Sequence, residues 1–216
     1  MKRIFFPLFF ILFFLSSTVF AQIPFKLGIK GGLNIANLSF DPALPSGSDN
    51  TTRTGLIAGA MVEFNLVPMF AIQAEPAYIQ KGSKITASSS SNEVNLKLAY
   101  LEIPVVLKLN IPSPGNIKPY VFAGPNIGFR LSANSETPAG EVDIKDETQS
   151  IDFALDFGAG AGFKIAPLVD LVIDARYSLG LSDILSDTGK QEFENTSGQK
   201  IKTTGIQITA GIMFGL

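Results

Sequence analysis

Residues Ile151–Ile165 alternate without interruption. Ile151, Phe153, Leu155, Phe157, Ala159, Ala161, Phe163 and Ile165 share one parity, while Asp152, Ala154, Asp156, Gly158, Gly160, Gly162 and Lys164 share the other. A period of two describes a β-strand with one greasy face and one polar or small face. The stretch is longer than the usual globular strand of about 5–6 residues. It also exceeds the about 9–11 tilted residues that cross a bilayer. The greasy face is therefore expected to meet lipid rather than a soluble core.

The same alternation recurs in Phe25–Leu38, Thr54–Leu66, Met69–Lys81, Val94–Ile111, Pro119–Ala133, Val169–Ser182 and from Ile201 to the C-terminus. The gaps between these stretches are long and short in strict turn. Ser39–Arg53, Gly82–Glu93, Asn134–Ser150 and Asp183–Lys200 are long and polar, whereas Val67-Pro68, Pro112–Lys118 and Ala166-Pro167-Leu168 are tight turns. The pattern predicts an all-β fold, an eight-stranded antiparallel up-and-down transmembrane β-barrel. Both termini and the short turns would lie in the periplasm, with the four longer loops outside. Closure is required because an open sheet edge cannot be satisfied in hydrocarbon.

The first residues carry a different signal. Met1-Lys2-Arg3 is basic, Ile4–Leu15 is apolar, and Val19-Phe20-Ala21 offers small residues for cleavage. This predicts a secretory signal peptide over 1–21 and a barrel domain over 22–216. Without Lys2 and Arg3, 15 basic residues remain against 19 acidic, a net charge near −4. Nothing concentrates positive charge, so nucleic acid is not an expected partner. Cys is absent, so stability must come from burial and backbone pairing.

Two eight-stranded barrels compete: a soluble lipocalin-like carrier with its apolar face inside, and a membrane barrel with that face outside. The polar face is rich in glycine (28, 32, 59, 124, 128, 158, 160, 162, 180 and 211), which suits a crowded interior. The apolar-face aromatics also sort by height. Phe25, Phe64, Phe70, Phe163 and Phe214 fall near the termini and short turns, and Tyr78, Phe129, Phe153 and Tyr177 fall near the long loops. Two girdles are the membrane expectation.

Four blocks stand at these strand positions: Gly28-Ile29-Lys30-Gly31-Gly32-Leu33-Asn34, Gly55-Leu56-Ile57-Ala58-Gly59, Tyr100-Leu101-Glu102-Ile103-Pro104 and Tyr120-Val121-Phe122-Ala123-Gly124-Pro125. They resemble the recurring blocks of the outer-membrane-protein β-barrel family, the "porin family" or PorT-like barrels. The resemblance spans the whole mature chain, and Leu-Glu-Ile-Pro is its most specific piece. It implies an eight-stranded barrel in a Gram-negative outer membrane and little about activity; a few members assist secretion. Pro76, Pro104 and Pro125 fall inside strands with no free edge, where bulges or displaced pairing are expected.

The charges assigned to the lumen are Lys26, Lys30, Lys108, Lys164, Arg130 and Arg176 with Glu63, Glu75, Glu102, Asp152, Asp156, Asp170 and Asp174. Glu63, Glu75, Glu102, Lys108, Arg130, Asp156, Asp174 and Arg176 form the expected central cluster. Its first reading is a plug of paired charges in a barrel too narrow for an open channel. The alternative is a gated ion path, or a proton or ligand site among Glu63, Glu102, Arg130 and Arg176. Without His or Cys there is no Ser-His or Cys-His couple and no thiolate. No catalytic residues, cofactor or metal are therefore expected. The acidic loop Asn134–Ser150 lacks the carboxylate spacing of a known Ca²⁺ loop.

The expectation is a monomeric structural or interaction protein of the outer membrane, in contact with its lipid and with a possible envelope or secretion partner. A small gated pore or transporter is the alternative.

Overall fold

Strand β1 (Phe25–Asp41) pairs antiparallel with the last strand, β10 (Lys200–Gly215), along its whole length, from Lys26↔Gly215 to Asp41↔Lys200. That pairing closes the sheet into a ring. In the computed structural model, which describes residues 25–44, 48–87, 93–192 and 200–215, the remaining strands are β2 (Ser48–Val67), β3 (Phe70–Ala74), β4 (Ala77–Ala87), β5 (Glu93–Asn110), β6 (Ile117–Thr137), β7 (Gly140–Asp143), β8 (Ile151–Ala166) and β9 (Val169–Gly180). One short helix, α1 (Asp187–Glu192), precedes β10. β3 and β4 share one place in the wall, between β2 and β5, and β7 is a short hairpin arm on the outer end of β6. Eight staves remain, each antiparallel to its neighbours. The predicted leader lies outside the described residues.

Which face looks inward follows from burial. Ile29 is 67% exposed and its neighbour Lys30 only 6%. The same inversion runs through β8, where Ile151, Phe153, Leu155 and Phe157 are exposed and Asp152, Ala154 and Asp156 are buried. An interior of charges inside an apolar skin is the inverse of a soluble barrel. Seven of the nine aromatics expected in the two belts are exposed, Phe64, Phe70 and Phe214 low and Tyr78, Phe129, Phe153 and Tyr177 high. Phe25 and Phe163 are partly buried, and Phe157, also exposed, lies between the belts on β8.

The strands extend beyond the alternating segments. β1 runs on to Asp41, β2 begins at Ser48, β4 reaches Ala87 and β6 reaches Thr137. Part of three of the four expected loops is therefore strand, paired above the apolar belt, as in Ser48↔Ala87 and Asn95↔Glu136, whereas Asp183–Lys200 carries α1 and enters strand only at Lys200. In aqueous surroundings these residues need no greasy face, so alternation does not mark them.

The prolines sit differently from expectation. Register shifts occur at Thr52/Ile57, Asn65/Val67, Ala99/Tyr100 and Lys164/Ala166, none of them at a proline. The register is unchanged on either side of Glu75-Pro76, and only the ladder is interrupted there. The Ala60 N–H still donates to the Pro76 carbonyl at 2.9 Å and the Glu75 N–H to that of Pro104 at 3.1 Å. Each proline lacks a donor but keeps its acceptor, so a rung is thinned without sliding the strands.

Candidate functional site: the filled lumen and its outer cap

Long charged side chains fit inside eight strands because the residues beside them are small. Lys30 lies level with Gly59 on β2 and Gly211 on β10. Glu102 lies between Ala77 and Gly128, and Asp156 between Gly124 and Ser178. Gly160 is one such place: a Cβ there would clash with Asp174 Oδ1 and stand 2.7 Å from the Tyr120 ring. The interior of an eight-stranded barrel is about wide enough for side chains to fill.

The charges form one connected chain through the lumen. At the turn end Lys26 bridges Asp170 (3.0 Å) and Glu63 (3.4 Å), and Lys118 also reaches Asp170 (3.2 Å). Lys108 donates to Glu63 at 2.7 Å and to Gln73 Oε1 at 3.3 Å, and Gln73 donates in turn to Glu75 at 2.8 Å. Glu75 is the hub. It also accepts from Lys30 and, at 2.6 Å, from Arg176 Nη2. Arg176 Nη1 continues to Asp156 at 3.2 Å. Asn126 Nδ2 spans Asp156 (3.2 Å) and Glu102 (2.8 Å). Lys81 then joins Glu102 (2.5 Å) to Asp152 (3.3 Å), which also accepts from Thr203 and Ser182 at 2.7 Å.

Aromatic rings fill the remaining space. Lys108 Nζ lies 3.6 Å from the centroid of Tyr120 and the Arg176 guanidinium 4.8 Å from that of Phe122. Desolvated cations over ring faces regain part of what the missing water would have supplied. Tyr120 donates its hydroxyl to Asp174.

Seven of the eight residues expected in the cluster are thus buried in the lumen: Glu63, Glu75, Glu102, Lys108, Asp156, Asp174 and Arg176. Arg130 is not among them. It is half-buried at the outer rim, with Nε donating to the Gln149 carbonyl at 3.0 Å, because Tyr100 and the bulge beside it occupy the space below. Lys164, also assigned to the lumen, is exposed where the bulge at Lys164/Ala166 turns the end of β8 outward. Lys81 is the cation the assignment missed, 3% exposed and central to the outer half of the network. Its parity with Gln73 and Glu75 was the available signal.

Above Lys81 the interior changes character. Leu38, Ile57, Ile79, Leu98, Tyr100, Ala133 and Ile201 form a buried apolar cluster, closed from outside by Ile184 and Leu185. These two come from the loop after β9. The Ile184 N–H donates to the Ile201 carbonyl at 2.8 Å, and the Ile184 carbonyl accepts from the Gln149 N–H at 2.7 Å. Thr148 pairs with Leu185 across the two outer loops, and the Ser186 N–H donates to the Glu147 carbonyl at 2.9 Å. The loops expected to be solvated thus clasp each other over the mouth. Among the described residues no group of three or more acidic side chains is placed to hold a metal ion.

Residues 20–186 match the family described as outer membrane protein beta-barrel domain. The chain belongs to that family. As an outer-membrane barrel it resides in the Gram-negative outer membrane, and the soluble-carrier alternative has no remaining support. The crystal structure of Neisserial surface protein A superposes with a TM-score of 0.52 at 12% identity, covering 87% of this chain and 96% of that one. The outer membrane protein OprG from Pseudomonas aeruginosa gives 0.52 at 12% identity, covering 88% and 95%. At such identities the likeness is one of fold. None of the curated proteins compared matches the sequence.

Proposed function

We propose that this outer-membrane barrel is a non-conducting, non-enzymatic interaction protein that presents its capped outer loops to a binding partner. The observation that carries the reading is the filled lumen: the ion-pair chain from Lys26 to Asp152 occupies the bore, and Ile184 and Leu185 lie over its outer end. Burying so many charges is costly unless they are mutually paired, and here the pairs tie opposite walls together. The barrel serves as a rigid monomeric stand, and recognition belongs to the loops, with an envelope or secretion protein as the partner class.

One observation favours the second reading, a narrow gated path. Asn126 Oδ1, Asp156 Oδ1 and Arg176 Nε are buried side by side along the chain, without hydrogen-bond partners among the described residues. Water lodged there would hydrate part of the bore. Purified protein in planar bilayers separates the two. The proposal expects no single-channel steps, and stable steps that change in size with Arg176→Met would establish the pore instead. In-cell crosslinking through the outer loops followed by co-purification identifies the partner.

A further inference from the structure

A cavity of about 380 Å³ lies under the clasped outer loops. Its wall is almost wholly apolar, formed by Leu38, Leu96, Ile144, Ile184, Leu185 and Ile201 among others. The volume falls in the roughly 300–1,000 Å³ range of small-molecule sites. One carboxylate faces it. Glu147 lines the cavity, and its Oε2 is buried with no hydrogen-bond partner among the described residues.

The backbone that carries this carboxylate is pinned on both sides. The Glu147 carbonyl accepts from the Ser186 N–H, and Gly189 packs so closely that a Cβ there would stand 2.3 Å from the same oxygen. Thr148, the next residue, is bridged to Leu185. Backbone on both sides of Glu147 is therefore fixed by the other loop, which keeps its side chain at the cavity wall. A buried carboxylate oxygen without a partner calls for a donor, and a cationic one above all. The surroundings have the same sign: Lys145 and Lys190 are occupied by Asp143 and Asp183, whereas Asp146, Glu147 and Asp187 have no ion pair among the described residues.

We propose that this cavity binds a small amphiphilic amine, its apolar body against Ile184, Leu185 and Ile201 and its ammonium group donating to Glu147. The site deepens the interaction reading above, and rests on it, by naming a ligand class for the outer cap. Failure of the two is distinguishable, since a conducting lumen shows as channel steps and an empty cap shows as absent amine binding.

The test uses full-length protein in lipid nanodiscs with ¹³C-methyl-labelled Ile and Leu, titrated separately with octylamine, octanol and octanoate. Octylamine should shift the methyls of Ile144, Ile184, Leu185 and Ile201 saturably, octanol more weakly, and octanoate not at all. Glu147→Gln should weaken octylamine by about tenfold, the scale of one charge-assisted hydrogen bond, while leaving octanol within about twofold. Leu185→Trp, which fills the cavity, should abolish binding of both. Should that variant fail the heat-dependent band shift of a folded barrel, Ile144→Trp at the cavity edge replaces it. Absence of saturable shifts at these methyls overturns the proposal. So does octanoate or octanol binding as tightly as octylamine, or an octylamine affinity indifferent to Glu147→Gln.

Discussion

Arg176 on β9 and Glu75 at the end of β3, 101 residues apart in sequence, meet across the lumen with Nη2 2.6 Å from Oε2. Both are almost wholly buried. The pair therefore braces opposite walls of the barrel, and Glu75 is shared with Lys30 and Gln73. Removing Arg176 leaves a carboxylate facing one fewer cation in a space that water cannot easily refill.

Arg176→Met is expected to destabilise the barrel by about 3–5 kcal/mol, the range for breaking one partner of a buried pair. Adding Glu75→Gln should restore part of that loss, so the double variant costs less than the sum of the singles. Urea unfolding of protein reconstituted in vesicles measures all three. Strict additivity would mean that the two side chains are not coupled.

Ala159 and Gly160 are neighbours on opposite faces of β8. Ala159 is exposed between the two aromatic belts, so Ala159→Arg should cost about 2–4 kcal/mol, the lipid-midplane range. Gly160→Asp should be worse, because its Cβ would meet Asp174 Oδ1 at 2.3 Å and add a like charge there. The expected result is failure to assemble, read as loss of the heat-shifted band. Normal folding of Gly160→Asp would show a roomier lumen than described.

The turn between β8 and β9 places Leu168 at φ 64°, the left-handed region that costs a side-chain-bearing residue roughly 1–2 kcal/mol. Its carbonyl accepts from the Gly215 N–H at 2.8 Å, which fastens the end of β10. Leu168→Gly relieves the strain while adding freedom to the unfolded chain, about 0.5–1 kcal/mol in the other direction. The net expectation is a gain of about 0–1.5 kcal/mol in vesicle unfolding. A clear loss would assign Leu168 a packing role that its exposure does not suggest.

Above the membrane, Lys97 on β5 bridges Glu136 on β6 at 2.8 Å and Glu141 on β7 at 3.6 Å. The hydrogen bond from Lys97 holds the Glu136 carboxyl below its ordinary range, and the same bond raises Lys97. A depressed carboxyl contributes above the ordinary value of about 4.3 and ceases to contribute as pH falls through its lowered midpoint. Carboxyl ¹³C titration should place Glu136 below that ordinary value. Lys97→Met should move it back up. An unmoved midpoint would remove Lys97 as the cause.

The wall was legible in the sequence because lipid outside and a crowded bore inside enforce a period of two. Ile151–Ile165 shows it most plainly, and the aromatics at Tyr78, Phe129, Phe153 and Tyr177 follow from the same physics. The outer third was not legible for the converse reason. Leu56-Ile57-Ala58 and Tyr78-Ile79 are apolar on both parities, since lipid lies on one side and the cap cluster on the other. That loss of contrast was the clue to an apolar cap. The bulge between Arg130 and Ser132 then turns Ala133 inward on the opposite parity, a flip that alternation cannot anticipate. Lys81 shares the parity of Gln73 and Glu75, and because β4 continues to Ala87 its side chain lies well within the wall, among the lumen charges. Ile184 and Leu185 carried no periodic signal at all; they are two apolar residues in a polar loop, held by backbone bonds to partners distant in sequence.

The overshoot of the strands has a geographical consequence. Ile85 follows Tyr78 by seven residues on the same strand. At about 3.3 Å per residue and a tilt of about 40°, that carries the strand some 15–20 Å past the upper aromatic belt. The cap cluster thus begins level with the upper belt, at Ile57 and Ile79, while the cavity wall at Ile85 stands clear of the hydrocarbon, at headgroup depth. The open edge of the cavity, at Ile85, therefore faces the aqueous side of the membrane rather than the acyl chains.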